Sequence, residues 1–534
     1  MGFTLLDAFT RQQKRDIAIY AFGIMCYKFG LEYFNGAFIT LANERFTKEE
    51  RYQKIGILTG TNAAMQCVGS ILIAPLIKRF PTRTVLSYAV LTFGLISMTL
   101  LICDAATGGK PKILNGGKQK YGTWNPNGLF PIYIISGVAY GMVELIRRVI
   151  PRNIVAGDVQ RLRRMDAIVH VLYEIAGTTG AFTSPALISK FGYNYSSFLS
   201  PILFASAALI WRFVSNTEAA ERAAAEESRL EQMEHEDQVK NTNYLNSIWV
   251  GFRSFGKATY FGGKLVLTRR RYAWLVIGYS AALYGHRYLE NGLAPIFAKQ
   301  ILGTSAWSQI IVGGSNFGEL LGALSVLLLT NYVPTPIPFL RLDALALNLV
   351  WVMPFIAATK GDVAGAWKVA ACFIPISFGW AAGDVSLAAY IQSTLAKLEN
   401  IDPDVSALGA VMAFLYVTYI VLYAVLSAVL GKWVDKQITA GVSAREVLKY
   451  VGGTQFSILC VLVLLASCIP RGAISFNPQL IEGHSSNEEE SDVPEADEYN
   501  LQKDQKEAVV GAGVDGKDNY VNGAQVPSVN KYDN

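Results

Sequence analysis

GTNAAMQCVGS at residues 60–70 and GGSNFGELLGA at residues 313–323 decide the fold, because one can be laid over the other. Gly60, Asn62, Gln66 and Gly69 fall on Gly313, Ser315, Glu319 and Gly322. The register continues outward in both directions. Upstream, EYFNGAF from Glu32 matches YLENGLA from Tyr288 and brings Asn35-Gly36 onto Asn291-Gly292. Downstream, RFPTR from Arg79 matches YVPTP from Tyr332 and brings Pro81-Thr82 onto Pro334-Thr335. Three matches in order, at a nearly constant offset, describe a chain built from two similar halves.

Each half is strongly apolar. Over 534 residues the hydrophobic fraction is 51% and the mean hydropathy +0.28, a composition that argues against a soluble enzyme. Runs of roughly 18 to 25 mostly apolar residues recur from end to end, each long enough to cross a hydrocarbon core as a helix. They predict spans at 17–41, 55–77, 84–104, 129–149, 166–188, 196–214, 273–298, 306–330, 341–359, 366–393, 406–431 and 452–470. Helices rather than barrel strands follow, since lipid offers backbone N–H and C=O groups no partner and the alternating ten-residue pattern of barrels does not appear. The expected fold is all-α: a polytopic membrane protein of about twelve transmembrane helices in two six-helix repeats.

The expected organisation is a cytosolic N-terminus (1–16), a six-helix bundle (17–216), a central cytosolic loop (217–272), a second bundle (273–471) and an acidic tail (472–534). The N-terminus lacks the short apolar core and cleavage site of a removable signal, so the first span is expected to target the chain. Basic loops at KRFPTR, RRVIPRNIVAGDVQRLRR and LVLTRRRY place both termini in the cytosol by the positive-inside rule. Two stretches dissent, 105–128 with four lysines and 432–450 with four basic residues. The sequon Asn194-Tyr195-Ser196 falls on the outer side, close to the membrane.

Within the central loop, EAAERAAAEESRLEQMEHEDQ reads as a solvated helix, and YLNSIWVGFRSFGKATYF as a helix lying in the interface, with Leu245, Ile248, Trp249, Phe252 and Phe255 on one face. The tail is rich in Glu, Asp, Asn and Gly and is expected to be disordered. The six cysteines lie within or at the ends of spans, with no disulfide framework or zinc spacing.

Ionisable groups in a span cost about 2.5 to 3.5 kcal/mol each on insertion scales, so their placement carries information. The third, sixth and twelfth spans have none in mid-span, and the ninth has only Asp343 near its start. The first carries Lys28 and Glu32, the fourth Glu144, the fifth His170 and Glu174, the seventh His286, Arg287 and Glu290, the eighth Glu319 and the tenth Asp384. Residues three or four apart share a helix face, so Lys28, Glu32 and Asn35 form one stripe, and Asp166, His170 and Glu174 another. Gly137, Gly141 and Glu144 form a third, where the glycines permit close approach, and Arg287 and Asn291 lie one turn apart. Glu319 gains weight because its repeat mate is the neutral Gln66. These stripes describe a central cavity holding both signs of charge. Each also has a structural reading: Lys28–Glu32 as an ion pair kept for register, Asp166 as an interfacial partner of the arginines, His170 as a hydrogen-bonded core histidine, and Asn-Gly as a packing device.

The six-plus-six layout, the repeat and two degenerate motifs give the chain its resemblance to the major facilitator superfamily over roughly residues 15–471. GSILIAPLIKRFPTRTVLS resembles that family's Gly-x-x-x-Asp-Arg-x-Gly-Arg-Arg loop, with Lys78 at the acidic position, then Arg79, Pro81 for the glycine, and Arg83 retained. GTTGAFTSP at 177–185 is similar to the family's Gly-x-x-x-Gly-Pro motif. The resemblance implies that spans 1, 4, 7 and 10 line a cavity and spans 3, 6, 9 and 12 face lipid, which is how the charges are allocated.

The function expected is secondary transport of a small polar solute, anionic or zwitterionic, by alternating access with a proton as coupling ion. The candidate binding or coupling residues are Glu32, Asn35, Glu144, His170, Glu174, Arg287, Asn291, Glu319 and Asp384. A carboxylate such as Glu32 or Glu174 would carry the proton, and Arg287 with neighbouring amides would hold the solute. The other reading is a sensor or scaffold that retains the fold and signals through its central segment and tail. HExxH, GxSxG, GxxxxGKS and a His-rich metal box are absent, so no enzyme, no cofactor and no metal site are expected. The expected setting is a monomer in the plasma membrane or a vacuolar-type membrane, in contact with lipid and without a nucleic-acid partner.

Overall fold

The computed structural model describes residues 9–155, 159–215, 244–329, 332–395, 407–470 and 472–478. Within them lie α1 (Arg11–Arg45), α2 (Arg51–Arg79), α3 (Thr82–Ala106), α4 (Leu129–Ile154), α5 (Val159–Phe191), α6 (Leu199–Trp211), α7 (Tyr244–Thr268) and α8 (270–301). α9 (Ser308–Leu329), α10 (Ile337–Phe355), α11 (Val363–Leu395), α12 (Ala407–Thr439) and α13 (Ala444–Ala466) complete the bundle. The described residues form no strand, only an isolated bridge between Lys110 and Lys120. The fold is therefore all-α and polytopic, with α7 standing outside the two sets of six. Eight helices, α1–α4 and α10–α13, are long and apolar enough to cross a membrane. α5, α8 and α9 are more polar because they carry His170, Glu174, His286, Arg287, Glu290 and Glu319.

Several helices run beyond their apolar cores, and capping explains why. α1 begins at Arg11 rather than 17 because Thr10 and Gln13 cap each other reciprocally, with bonds of 3.2 and 3.0 Å. α13 begins at Ala444 rather than 452, where Ser443 accepts from Glu446 N at 3.2 Å. The basic stretch 432–450 is thus mostly two helix ends. Lys432 and Lys436 lie in α12, while Arg445 donates to the carbonyls of Pro354 and Ile356 at 2.7 Å and Ala358 at 2.8 Å, closing the end of α10.

The lysine-rich 105–128 connection is organised by buried Asp104. It accepts from Gly122 N and Trp124 Nε1 at 2.9 Å and from Asn194 Nδ2 at 2.5 Å. Arg45 adds a cation stacked over Tyr121 and Trp124. Asn194 is fully buried, so the sequon's asparagine serves this network and is closed to glycosylation.

The sequence repeat is a repeat of contacts. α2 packs along α4 as α9 packs along α11, and a β-carbon at Gly69 or at Gly322 would overlap the carbonyl of Val138 or of Phe378 respectively. The mates Gly60 and Gly313 instead face the opposite half, against Ala424 of α12 and Phe182 of α5. The α2–α12 and α5–α9 seams so formed join the halves.

Apolar stripes point outward on α3 (Leu91, Leu95, Met98, Ile102), α6 (Ile202, Leu209), α10 (Leu345, Val352, Phe355) and α13 (Ile458, Val461, Leu465). In a bilayer these are the lipid-facing surfaces. α7 lies against α2 and α12, with Tyr244 donating to Leu72 O at 3.0 Å, and leaves Leu245 and Trp249 exposed.

The helices alternate in direction, which sorts the connections to two ends. At the end carrying the 107–125 connection, ties between the halves accumulate. Glu44 pairs with Lys299 and accepts from Ser305, both at 2.6 Å, and Asn43 donates to Pro295 O at 3.2 Å. Gln300 donates to Tyr52 at 2.9 Å, and Asp435 accepts from the N–H groups of Tyr52 and Gln53. At the other end, Arg341 gathers residues 472–478, the start of the acidic tail, by donating to the carbonyls of Ala473 and Ser475.

Candidate functional site

Midway between the ends, the charges of the spans converge from both halves. α1 supplies Lys28 and Glu32, one turn apart and paired at 2.6 Å. Both are buried, and the Lys28 ammonium lies 4.6 Å from the centre of the Tyr173 ring. α4 supplies Glu144, which pairs with Arg147 at 2.6 Å, and the Arg147 guanidinium lies 4.6 Å from that same ring. Tyr173 of α5 therefore links the two ion pairs. Arg147 belongs to a stretch that reads as a basic loop, but α4 continues to Ile154 and carries it back onto Glu144.

The next residue on α5, Glu174, is 3% exposed, and its Oε2 has no hydrogen-bond partner among the described residues. Lys28 and Glu32 of its own half and Glu319 of the other all lie close enough to act on its charge. One turn on, Gly177 leaves room for the Lys28 side chain and for the Asn316 amide of α9. Asn316 is itself buried, with Nδ2 lacking a partner among the described residues. Glu174 and Asn316 thus place an unpaired acceptor and an unpaired donor on the two sides of the seam between halves. An unpaired buried polar group costs about 1 to 3 kcal/mol, so such a pair is retained where something else engages it.

α8 and α9 build the other side. Buried His286 shares a 2.6 Å bond with Glu319, and Arg287 pairs with Glu290 at 3.1 Å. Ser315 donates to Glu290 at 2.8 Å and lies 2.8 Å from Ser377 of α11. Trp380 stacks on the His286 ring at 5.6 Å. The helix carrying these groups widens into π-turns at Val276–Ala281, Leu289–Leu293 and Phe297–Ile301, a distortion that often accompanies functional sites. In the first half the repeat mates make neutral bonds instead, Asn62 to Tyr133 O at 2.7 Å and Gln66 to Asn62 at 3.0 Å. Arg287 is the open member of the cluster, with 45% of its side chain exposed while Tyr288 and Leu289 beside it are buried.

The nine candidate residues therefore divide. Glu32, Glu174, Arg287 and Glu319 belong to the centre, and Glu144 joins it through Arg147 and Tyr173. His170 is half-buried one turn from Glu174 on α5, while the side chain of Asp166 lies outside the described residues. Asp384 is half-buried on α11 beside Tyr279. Asn35 and Asn291 make no side-chain bond to the charged groups among the described residues. Asn35 accepts from Tyr133 at 3.4 Å, and Asn291 donates to its own helix at Arg287 O, in a narrow cleft with Tyr52, Thr59 and Tyr423. Sequence reasoning gave His286 little weight and did not identify Tyr173, Arg147, Asn316 or Ser377. The i,i+4 spacing of His286 and Glu290 was the signal available for that pair.

Five carboxylates (Glu32, Glu144, Glu174, Glu290, Glu319) meet three permanent cations (Lys28, Arg147, Arg287) here. The arrangement can take up cations or protons, and it offers one solvent-facing guanidinium to an anionic group.

A family profile described as Major Facilitator Superfamily matches residues 20–399. Among solved structures, the chain is similar to the nucleoside transporter NupG (TM-score 0.55, 12% identity, covering 86% of this chain and 99% of that one). It is also similar to the xylose transporter XylE from E. coli (0.53, 12%, 86% and 96%). A third likeness is to the peptide transporter POT in complex with sulfate (0.55, 13%, 85% and 95%). At these identities the likeness establishes the fold. No curated protein matches the chain by sequence.

Proposed function

The chain belongs to the major facilitator superfamily of membrane transporters, and on that premise we propose that it is a proton-coupled secondary carrier of a small polar solute bearing an anionic group. The two six-helix units, 17–216 and 273–471, rock about the α2–α12 and α5–α9 seams, and the solute binds between them. The observation that carries this reading is Glu174, buried at the α5–α9 seam with an oxygen unpartnered among the described residues and flanked by Lys28 from one unit and Glu319 from the other.

A buried carboxylate is expensive to keep as an anion without full hydrogen bonding, and a proton is the smallest ligand that removes the cost. Rocking alters how near Glu174 lies to groups of the other unit, so its proton is taken up in one facing state and released in the other. Arg287, open to the space between the units, holds the solute's anionic group. The ties around Glu44 and Asp435 join the halves at the loop end, which supports reading this conformation as the one facing the cytosol.

Purified protein in liposomes with an imposed pH gradient tests the proposal against a mixture of small polar metabolites. Gradient-driven accumulation of a solute above protein-free vesicles is expected. No accumulation of any, from folded protein, would leave the sensor reading in its place.

A further inference from the structure

His286 and Glu290 lie one turn apart on α8, and Glu319 faces them from α9. One imidazole nitrogen and two carboxylate oxygens come within 4.8 Å of one another. His286 Nε2 stands 2.6 Å from Glu319 and 3.7 Å from Glu290. An imidazole with two carboxylates is a donor set that divalent first-row cations accept, with bonds of about 2.0 to 2.2 Å. A tetrahedral ion with such bonds holds its ligands about 3.3 to 3.6 Å apart, so side-chain adjustments of about 1 Å bring the three into place.

Three further observations point to a cation. The ring's other nitrogen, His286 Nδ1, has no partner among the described residues, and neither has Oδ1 of Asp343, a carboxylate of α10 that is 2% exposed. Asp343 packs on Gly379, next to the Trp380 that stacks on the imidazole, and lies near enough for His286 to act on its charge. A carboxylate bonded to the second nitrogen is the usual support of a metal-bound histidine; Nδ1 and Oδ1 make no bond to each other here and would have to close on metal binding. Carboxylates also outnumber cations: across the described centre Glu32, Glu144, Glu174, Glu290 and Glu319 meet Lys28, Arg147 and Arg287, so two negative charges remain when the imidazole is neutral. One proton on His286 balances half of that excess, and a divalent cation balances all of it. Finally, the site has an approach, since Glu319 retains 17% and Arg287 45% of side-chain exposure beside otherwise buried neighbours.

We propose that His286, Glu290 and Glu319 bind a divalent first-row transition-metal cation, with Asp343 orienting the imidazole and Ser315 fixing Glu290. This deepens the carrier reading by naming a cation that loads beside the solute, and it rests on that reading only for its route of entry.

The test is a Co2+ titration of full-length protein stripped of metal, read by the visible d–d absorption of the bound ion and reversed by Zn2+. His235, between Glu234 and Glu236 in the central segment, is a histidine flanked in sequence by carboxylates, so His235→Gln is the control. One Co2+ per chain is expected in the wild type and in His235→Gln. Binding should weaken at least about tenfold in His286→Gln, Glu319→Gln and Asp343→Asn. A wild type that binds none, or a site lost in His235→Gln and kept in the other three, overturns the proposal. X-ray absorption of Zn2+ on the wild type needs no variant to fold: one imidazole in a nitrogen and oxygen shell is expected, and a shell without imidazole overturns the assignment. Metal bound without gradient-driven uptake refutes the carrier reading alone, and uptake with no metal bound refutes the site alone.

Discussion

Replacing Asp435 by asparagine should open the loop end of the carrier. Asp435 is buried near the end of α12 and accepts from Tyr52 N at 3.0 Å and Gln53 N at 2.9 Å in the first turn of α2. It is an N-cap delivered from the opposite half, to N–H groups that have no partner within their own helix and that favour a negative charge. Asparagine keeps one acceptor oxygen and loses the charge, so one of the two bonds goes. An N-cap contributes about 1 kcal/mol and a hydrogen bond to a charged group about 1.5 to 3 kcal/mol. In alternating access the halves part at this end when the carrier turns outward, so the contact counts in the closed-to-open equilibrium and not in the folding of either half alone. A loss of about 1.5 kcal/mol then raises the open population relative to the closed one about tenfold. Spin labels at Glu49 and Ala440, both exposed at the loop end, would report it as growth of a longer-distance component. An unchanged distance distribution in an Asp435→Asn protein of unchanged thermal stability would refute the reasoning. Glu44→Gln, which weakens the bond to Lys299, should act in the same direction.

Two further outcomes follow from orientation and from the surface of α7. Both termini should lie in the cytosol, so a tag at residue 534 should resist protease in sealed right-side-out vesicles; cleavage there would reverse the topology. Trp249, with 69% of its surface exposed beside Leu245 on α7, should sit at headgroup depth, so lipid-attached quenchers should dim its fluorescence more than aqueous iodide does. Full iodide quenching without lipid quenching would remove α7 from the interface.

The sequence disclosed the architecture because a spanning helix is a local property: about twenty apolar residues suffice, and the Gly60/Gly313 and Gly69/Gly322 matches reported real contacts. Helix ends were less legible. Thr10, Ser443 and Arg445 extend or close helices by one to three hydrogen bonds that hydropathy does not register, and this made helix ends at 432–450 look like a basic loop. For the site, sequence could name charged residues but not their partners. Lys28–Glu32 was visible as an i,i+4 pair, whereas Tyr173 between two cations and Glu319 against His286 arise from packing between helices. Asn35 and Asn291 matched in the repeat, but their partners, Tyr133 and the carbonyl of Arg287, could not be read from the match.

The measurement that bears most directly on the central claim compares accumulation with exchange in Glu174→Gln proteoliposomes. A carrier coupled to one proton accumulates solute about tenfold per unit of imposed pH difference, since each unit supplies about 1.4 kcal/mol. Glutamine keeps the size of the side chain and cannot carry the proton, so gradient-driven accumulation should disappear. Exchange of labelled for unlabelled solute should persist, because it needs the loaded carrier to reorient but no net proton release. Glu32→Gln, made in parallel, should keep accumulation unless it, rather than Glu174, carries the proton. Wild-type accumulation in Glu174→Gln vesicles would contradict the account.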